Sequence, residues 1–226
     1  MDGGLCEQVA VPEWQLLPLG GLAPERAAAL PLALLTAWHM VVGRAGVGPG
    51  QRVLVQSGAG GVASLAIQVA RHVGARVVAT ASSERKRALC TELGAEEAWA
   101  HEDLKTGLRG WAPGGVDVVV EHVGSATWAS SVRSARWGGT VVTCGATTGH
   151  DVPLNLRVLF FKQLSLLGST MGSFSELRTA WDAATTGAIV PVVDRVLPVR
   201  DVGVAHELLE RREVAGKLVL AVEGGW

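Results

Sequence analysis

The sequence of 226 residues contains no tyrosine and only three cysteines. Cys6, Cys90 and Cys144 are far apart, so they support neither a disulfide framework nor a zinc knuckle. An excess of one charge is also lacking: the net charge of −1 gives no electrostatic basis for binding nucleic acid or a membrane surface. The apolar runs are too short to cross a bilayer, and the first residues lack a signal-like pattern. We therefore expect a globular cytoplasmic protein without nucleic-acid or membrane partners.

Short β-branched runs alternate with amphipathic stretches along the middle of the chain. Six runs are predicted as strands, at residues 52–56, 76–80, 97–100, 116–121, 140–144 and 164–168. The clearest helices between them are predicted at residues 62–73 and 83–93. Nearly continuous apolar strands separated by helices are typical of a parallel sheet covered on both faces. The expected fold class is therefore α/β, with a doubly wound parallel sheet of the Rossmann type.

The two ends of the chain differ from the middle. Residues 5–12 are predicted as a strand, and residues 24–42 as a helix interrupted at Pro31. After Ser173 the pattern predicts a helix, a strand, a second helix and a last strand, at residues 176–186, 192–199, 201–212 and 217–222. No linker that would separate two full domains is evident in the sequence.

The strongest motif follows the first predicted strand and opens the next helix. It reads G-x-G-x-x-A, from Gly58 to Ala63. Gly58 is expected to permit the tight turn, Gly60 to let the backbone approach a pyrophosphate, and Ala63 to allow close packing of helix and strand. The N–H groups and dipole at the helix start then favour phosphates. The motif predicts a dinucleotide site; a glycine-rich turn without a ligand is the alternative, and the absence of a following Gly-Lys-Ser/Thr excludes an NTPase phosphate loop.

The end of the second predicted strand indicates which dinucleotide binds. An NAD enzyme normally has a carboxylate there, which accepts from the ribose hydroxyls. This chain has Ala81, followed by Ser82, Arg85 and Lys86. Hydroxyl groups and cations are suited to binding a 2′-phosphate. The alternative is that Arg85 and Lys86 are only solvent-exposed residues at the start of a helix. The sequence thus favours NADP(H) over NAD(H).

Several short motifs follow one another in a fixed order. They are Ala28-Ala29-Leu30-Pro31, Leu35 to Met40, the Gly58 turn, Glu92-Leu93-Gly94-Ala95, Val118 to Gly124, Thr143 to Ala146, Leu167 to Gly172 and Gly216 to Leu220. In this order they resemble the medium-chain dehydrogenase/reductase superfamily, above all its zinc-binding dehydrogenase and quinone-reductase-like branches. The resemblance covers nearly the whole chain. A short-chain dehydrogenase is excluded, because its catalytic acid is a tyrosine.

The resemblance implies a division of the chain into three parts. Residues 1–23 correspond to a remnant of a GroES-like catalytic domain, residues 24–190 to a Rossmann NADP-binding domain, and residues 191–226 to a segment that returns to the catalytic-domain side and closes the fold. Most of the GroES-like domain has no counterpart here. Zinc members carry a Cys or Asp ligand where this chain has Leu32. Because a zinc site needs three or four well-spaced ligands, we expect no metal.

The resemblance also assigns roles to residues. Gly58, Ala59, Gly60, Gly61 and Val62 correspond to the pyrophosphate site, and Ser82, Arg85 and Lys86 to the adenosine phosphate site. The ribose and nicotinamide positions correspond to Val123, Gly124, Cys144, Gly145, Ala146, Gly168, Ser169 and Thr170. Lys217 matches a basic position that contacts phosphate. Thr36 and His39, the weak catalytic candidates, lie on the helix that faces the nicotinamide end.

Three candidates for acid–base or nucleophilic chemistry have simpler interpretations. His39 is a possible general acid, or a helix residue packed beside Trp38. Cys144 has no nearby base in sequence and is better interpreted as a small residue lining the nicotinamide pocket. Glu121 and His122 are adjacent on a strand, so their side chains point to opposite faces and do not act together.

The expected function is an NADP(H)-dependent oxidoreductase that transfers hydride between NADPH and a small carbonyl, quinone or enone. The alternative is a truncated nucleotide-binding module with little or no turnover. A methyltransferase shares the glycine-rich first turn but not the later motifs. The apolar edge strand near residues 164–170 predicts a homodimer. The face that a catalytic domain would cover is expected to include Trp38 and His39.

Overall fold

Within residues 4–222, which the computed structural model describes, six parallel strands form the central sheet. The strands are β1 (Arg52–Val55), β2 (Arg76–Thr80), β3 (Glu97–Trp99), β4 (Val116–Glu121), β5 (Ala135–Thr143) and β6 (Ser165–Gly168). Their order across the sheet is β3-β2-β1-β4-β5-β6. The direction of winding reverses between β1 and β4, which confirms the predicted doubly wound sheet. A crevice for ligands is expected at this reversal, beyond the carboxyl ends of the strands.

Helices cover both faces of the sheet. They are α1 (Pro24–Ala29), α2 (Pro31–Trp38), α3 (Gly61–His72), α4 (Glu84–Glu92), α5 (Leu104–Trp111), α6 (Trp128–Ser134), α7 (Leu156–Phe161), α8 (Phe174–Thr185) and α9 (Val202–Glu210). Residues of α1, α2, α3 and α8 form the larger core, and α5 packs on the opposite face of the sheet. No helix among residues 4–222 is both long and apolar enough to cross a membrane.

Prolines and side-chain caps set several of the helix boundaries. Pro24 and Pro31 each occupy the first helical position, where their missing N–H has no intrahelical acceptor, so the predicted interruption at Pro31 is confirmed. A π-helical segment, His39–Arg44, continues α2. Ser173 starts α8 through a reciprocal capping box with Glu176.

The last part of the chain forms a small sheet of its own. Strands β7 (Val193–Pro198) and β8 (Lys217–Ala221) pair in parallel and do not join the central sheet. Gly216, just before β8, makes a parallel bridge with Gly60, and its N–H donates to the carbonyl of Ala59 at 2.8 Å. The end of the chain is thereby attached to the glycine-rich turn.

Two expectations for the fold were wrong. Residues 5–12 form no strand, because no described strand lies beside them, and the side chains of Val9 and Val11 are exposed. Trp38 is 8% exposed rather than part of an open face, because its ring packs against His72 of α3 at a centroid distance of 6.1 Å. The strand predicted from residue 140 also begins earlier, at Ala135.

Candidate functional site

A cavity of about 510 Å³ lies at the carboxyl ends of β1, β2 and β4, where the winding of the sheet reverses. We call it the cleft. Its lining residues are Ser57, Ala59, Gly60, Gly61, Ala81, Ser82, Lys86, His101, His122, Val123, Ala126, Thr127, Thr147, Thr148, Leu209, Arg212, Val214 and Gly216. The volume is within the usual range for small-molecule sites. The cleft therefore has the position and size expected for a cofactor.

The glycine-rich turn forms the floor of the cleft. The left-handed residue of the turn is Ser57, with φ of 48°, rather than Gly58. Gly58 is required for packing instead, because a Cβ there would lie 2.8–2.9 Å from side-chain atoms of Ala79, Cys90 and Ile67. Gly60 precedes α3 and gives it no side-chain cap. The first N–H groups of α3 are thus left for a ligand such as a pyrophosphate.

The end of β2 combines a small apolar residue with polar neighbours. Ala81 is buried, and Ser82 and Lys86 line the cleft beside it. Burial lowers the pKa of the Lys86 ammonium, and the nearby charge of Arg85 lowers it further. Arg85 is outside the lining, with its guanidinium 3.8 Å from Asp194. The predicted pair of cations is therefore split between the cleft and its rim.

Sequence reasoning missed Arg212, which lines the cleft together with Lys86. Lys86 donates from Nζ to the backbone oxygen of Arg212 at 2.7 Å, which brings the two residues together across 126 positions of sequence. No local pattern marks Arg212, because it stands among other charged residues at the end of a helix. Its relation to the cleft depends on the fold of the last fifty residues.

Two histidines also line the cleft, His101 after β3 and His122 after β4. Burial lowers the pKa of both imidazoles. His122 donates from Nε2 to the carbonyl oxygen of Gln56 at 2.9 Å, because that carbonyl only accepts. His101 lies 3.3 Å from the hydroxyl of Ser57. Both rings are thus placed by hydrogen bonds to β1 or its turn. The negative charge of Glu121 acts on both imidazoles and raises their pKa, against the larger effect of burial.

The predicted ribose and nicotinamide residues follow the ends of β4, β5 and β6. Val123 lines the cleft, and Thr147 and Thr148 line it rather than Gly145 and Ala146. Gly124 has φ of 93° and lies so close to Gly149 that a Cβ would overlap the carbonyl oxygen of Gly149. This close approach joins the loops after β4 and β5 into one wall.

The other positions assigned by resemblance lie around the cleft without lining it. Burial raises the pKa of the Cys144 thiol to about 11, which suits a packing residue better than a nucleophile. Ser169 donates its N–H to the carbonyl of Thr143 beyond the end of β6. The side chain of Lys217 packs over Gly61, where a Cβ would lie 2.8 Å from the lysine Cδ. Val62 lies in the first turn of α3, Gly168 is the last residue of β6, and Thr170 follows it.

Thr36 and His39 are held by contacts within the helical layer. The Thr36 hydroxyl donates to the carbonyl of Leu32 at 2.8 Å. His39 Nδ1 lies 2.7 Å from Glu176 Oε1. The hydrogen bond from His39, together with those from Ser173, lowers the pKa of Glu176 to about 2. His39 is therefore paired with Glu176 of α8, and neither candidate lines the cleft.

The described residues contain no cluster of three or more His, Cys, Asp or Glu side chains placed to hold a metal ion. Leu32, at the position of a zinc ligand in the resembling family, is 60% exposed. A leucine side chain offers no donor atom for a metal.

Comparisons with known proteins agree with this geometry. Residues 61–186 match a family model described as zinc-binding dehydrogenase. A crotonyl-CoA reductase of Streptomyces avermitilis is 33% identical over 97% of this chain. A solved structure described as an NAD-dependent alcohol dehydrogenase is 41% identical, with a TM-score of 0.93 over 97% of this chain. A 2-octenoyl-CoA carboxylase reductase solved with NADP and 2-octenoyl-CoA is 30% identical, with a TM-score of 0.88 over 94% of this chain.

The chain is much shorter than these relatives. It spans 55% of the Streptomyces crotonyl-CoA reductase, and it covers 65% and 53% of the two solved chains. The similarity thus concerns the part of each relative that corresponds to the central sheet and its helices.

Proposed function

The chain belongs to the zinc-binding dehydrogenase family of the medium-chain dehydrogenase/reductase superfamily, and from that membership we propose that it is an NADP(H)-dependent oxidoreductase. Its substrate is proposed to be a small carbonyl, quinone or enone. One observation carries the proposal: a cleft with uncapped helix N–H groups at its floor and Lys86 and Arg212 in its wall, at the point where the sheet reverses.

The residues of the cleft fit a dinucleotide with a 2′-phosphate. The uncapped start of α3 offers N–H donors for a pyrophosphate. Ser82, Lys86 and Arg212 offer a hydroxyl and two cations, and Ala81 avoids the carboxylate that would repel a phosphate. One of the similar solved structures contains NADP, whereas another is described as NAD-dependent. The choice of NADP(H) therefore rests on the side chains of this chain.

The proposed reaction divides the work between cofactor and protein. The nicotinamide, when bound, supplies or accepts the hydride. Gly60 and Gly61 would hold the pyrophosphate, and Val123 with the wall after β5 would orient the ribose. Half-buried His122 donates its Nε2–H to the carbonyl oxygen of Gln56 and would so help to hold the floor of the cleft. None of these roles needs a metal, and we expect no stoichiometric zinc by elemental analysis of protein purified without a metal column.

Titration of tryptophan fluorescence with NADPH and NADH tests the proposed cofactor. We expect saturable NADPH binding that is clearly tighter than NADH binding. Turnover is then measured as NADPH oxidation with quinones, aldehydes and enones. Equal affinity for the two cofactors, or a preference for NADH, contradicts the proposal.

A second candidate function is cofactor binding with little or no turnover. It is favoured by the lining of the cleft, in which both histidines are already engaged with Ser57 or Gln56 and neither Thr36 nor His39 takes part. It is also favoured by the share of the relatives that this chain spans. NADPH binding with no oxidation of any tested acceptor is the result expected for this candidate, whereas turnover near one per second contradicts it.

We also propose that two copies of the chain pair through β6. This strand is one of the two edges of the central sheet, and α7 just before it exposes Leu156, Phe160 and Phe161. An apolar edge is closed by antiparallel pairing of like strands about a two-fold axis. The divisions of the chain at residues 23 and 190, and a cytoplasmic location, stay predictions.

A further inference from the structure

A group of buried polar side chains lies directly beneath the lining of the cleft. Glu121 at the end of β4 is fully buried, as are Gln56, Thr80 and Ser131. Polar groups at this depth are tolerated only when each has a hydrogen-bond partner. Here most of the partners are members of the same group, and together they connect two separate walls of the cleft.

Glu121 holds the loop that forms the first of these walls. Its Oε1 accepts from the N–H groups of Val123 at 2.6 Å and Gly124 at 3.2 Å. Both carboxylate oxygens lie 2.9 Å from the Thr127 hydroxyl, which donates to them. Val123 and Thr127 line the cleft. One carboxylate therefore fixes this wall near both of its ends.

A chain of hydrogen bonds runs from the same carboxylate to the second wall. Ser131 Oγ donates to Glu121 Oε2 at 2.5 Å and accepts from Gln56 Nε2 at 3.0 Å. Thr80 Oγ1 donates to Gln56 Oε1 at 2.7 Å and accepts from the N–H of Ser57 at 3.0 Å. The chain of bonds thus ends on the residue that begins the glycine-rich turn.

The two ends of this chain fix the direction of every bond between them. The carboxylate of Glu121 faces donors only, so it acts as an acceptor, and the backbone N–H of Ser57 can only donate. Ser131 must then give its proton to Glu121 and accept from the amide NH₂ of Gln56. The amide carbonyl of Gln56 consequently faces Thr80, whose oxygen is left to accept from Ser57. If either end is changed, the donor and acceptor directions of the hydrogen bonds between Glu121 and Ser57 are no longer fixed.

Ser57 needs external support for its conformation. Its φ of 48° lies in the left-handed region, which costs free energy for a residue with a Cβ. The bond to Thr80 Oγ1 and the bond from Gly58 N–H to the Thr80 carbonyl at 2.7 Å hold the turn against β2. The geometry of the phosphate-binding turn thus depends on the orientation of a side chain that itself does not reach the cleft.

We propose that Glu121 is a positioning residue that sets the glycine-rich turn and the 123–127 loop in one arrangement before a ligand enters. It acts on the turn through Ser131, Gln56 and Thr80. The identity of the ligand rests on the proposed function, whereas the coupling of the two walls is a property of the protein alone.

Amide hydrogen exchange, followed by mass spectrometry without any cofactor, tests the coupling. Thr80→Val removes the hydroxyl at nearly constant shape, and Thr80→Ser keeps it. Among residues 4–222 the Thr80 side chain bonds to Ser57 and Gln56 alone, so a local defect would affect the turn at residues 57–61 and not the other wall. We expect Thr80→Val to speed exchange about tenfold both there and at residues 122–127, and Thr80→Ser to resemble the wild type.

Leu177→Ala is the matched control for loss of stability. Leu177 is buried in α8 and is not part of the cleft lining, so its truncation weakens the core without removing any of the buried hydrogen-bonded side chains. We expect Leu177→Ala to change the amide exchange rates of residues 57–61 and 122–127 no more than those of the rest of the sheet. Faster exchange confined to residues 57–61 in Thr80→Val overturns the proposal. The same two-wall pattern in Leu177→Ala or Thr80→Ser overturns it as well.

NADPH affinity gives a second measurement. Glu121→Gln places an NH₂ group where the surrounding groups are donors, so the series of hydrogen bonds loses its acceptor at that end. Position 121 itself does not line the cleft. We expect Glu121→Gln and Thr80→Val each to raise the NADPH Kd about tenfold or more, well below their unfolding temperatures, with no such rise in Leu177→Ala. A wild-type Kd in both variants overturns the positioning role. If the wild type binds neither NADPH nor NADH, the proposed function fails, and the exchange experiment still decides the coupling.

Discussion

Lys86 donates from its Nζ to the backbone oxygen of Arg212 at 2.7 Å, and this bond joins α4 to the segment before β8. The neighbouring Arg85 donates to the carbonyl of Glu213 at 3.3 Å. The cations assigned to the adenosine phosphate therefore also hold the end of the chain against the cleft. A bound phosphate would offer Lys86 a charged acceptor in place of a carbonyl, and such bonds are roughly twice as strong.

Ala81→Asp is predicted to reverse the cofactor preference. The new carboxylate would stand at the end of β2, where it repels a 2′-phosphate and accepts from ribose hydroxyls. We expect NADPH binding to weaken by about 1–3 kcal/mol, and NADH binding to strengthen. Fluorescence titration measures both. Ala81→Asn is the control of equal size without the charge; equal NADPH affinity in the Asp and Asn variants would contradict the electrostatic argument.

Replacing Arg85 and Lys86 together by Ala is predicted to weaken NADPH binding selectively. The loss of charge-assisted bonds to the phosphate corresponds to about 1–3 kcal/mol, with little change for NADH. Lys105→Ala with Arg109→Ala removes the same charge from α5, outside the cleft lining, and is expected to leave both affinities unchanged. A parallel loss of NADPH and NADH binding would instead show that the two cations serve only to hold the cleft together.

Glu176→Gln is predicted to lower stability at neutral pH and to flatten its dependence on acid. The folded pKa of Glu176 is about 2, below its ordinary value of 4.5, so the native state binds this proton more weakly than the unfolded state. The contribution is fully present above about pH 4.5 and is lost as the pH falls toward 2. We expect about 1–2 kcal/mol, reduced by partial exposure of the pair. Denaturant unfolding from pH 2 to 7 measures it, with the exposed Glu207→Gln as a control that changes little.

Ser165→Lys is predicted to convert a dimer into a monomer. The substitution places a charge at an exposed position of β6, an edge strand of the central sheet, and a charge there opposes edge-to-edge pairing. Light scattering at micromolar concentration measures the mass. Val204→Lys on the exposed surface of α9 is expected to leave the mass unchanged. A monomeric wild type would rule out the proposed pairing.

The parts of the fold that depend on local sequence were the predictable ones. Alternating apolar strands and helices identified the central sheet, and the motif from Gly58 to Ala63 identified the floor of the cleft. The pattern shows that glycine is needed at position 58, but not that close packing against Ala79, Cys90 and Ile67 is a reason for it. The strand predicted at residues 5–12 does not form, because a strand needs a neighbouring strand to pair with. The residue pattern of one segment does not show whether such a partner exists.

The side chains that complete the cleft were not predictable from local pattern. Arg212 and His101 reach the cleft from segments that are distant in sequence from the glycine-rich turn. The pairing of His39 with Glu176 spans 137 positions and depends on the packing of α8 against α2. Contacts between residues so distant in sequence are set by the topology of the fold. A local sequence motif therefore identifies only one residue of each contacting pair.

The bond from Gly216 to Ala59 has a consequence for the order in which the protein acquires its binding site. The floor of the cleft belongs to the turn after β1, whereas Arg212, Val214 and Gly216 complete the lining from the last part of the chain. During synthesis these residues are made more than 150 positions after the glycine-rich turn. A nascent chain stalled before residue 211 would then present the turn without the wall that α9 and β8 supply. Tight binding of a dinucleotide would therefore require that the segment with α9 and β8 has packed against the glycine-rich turn.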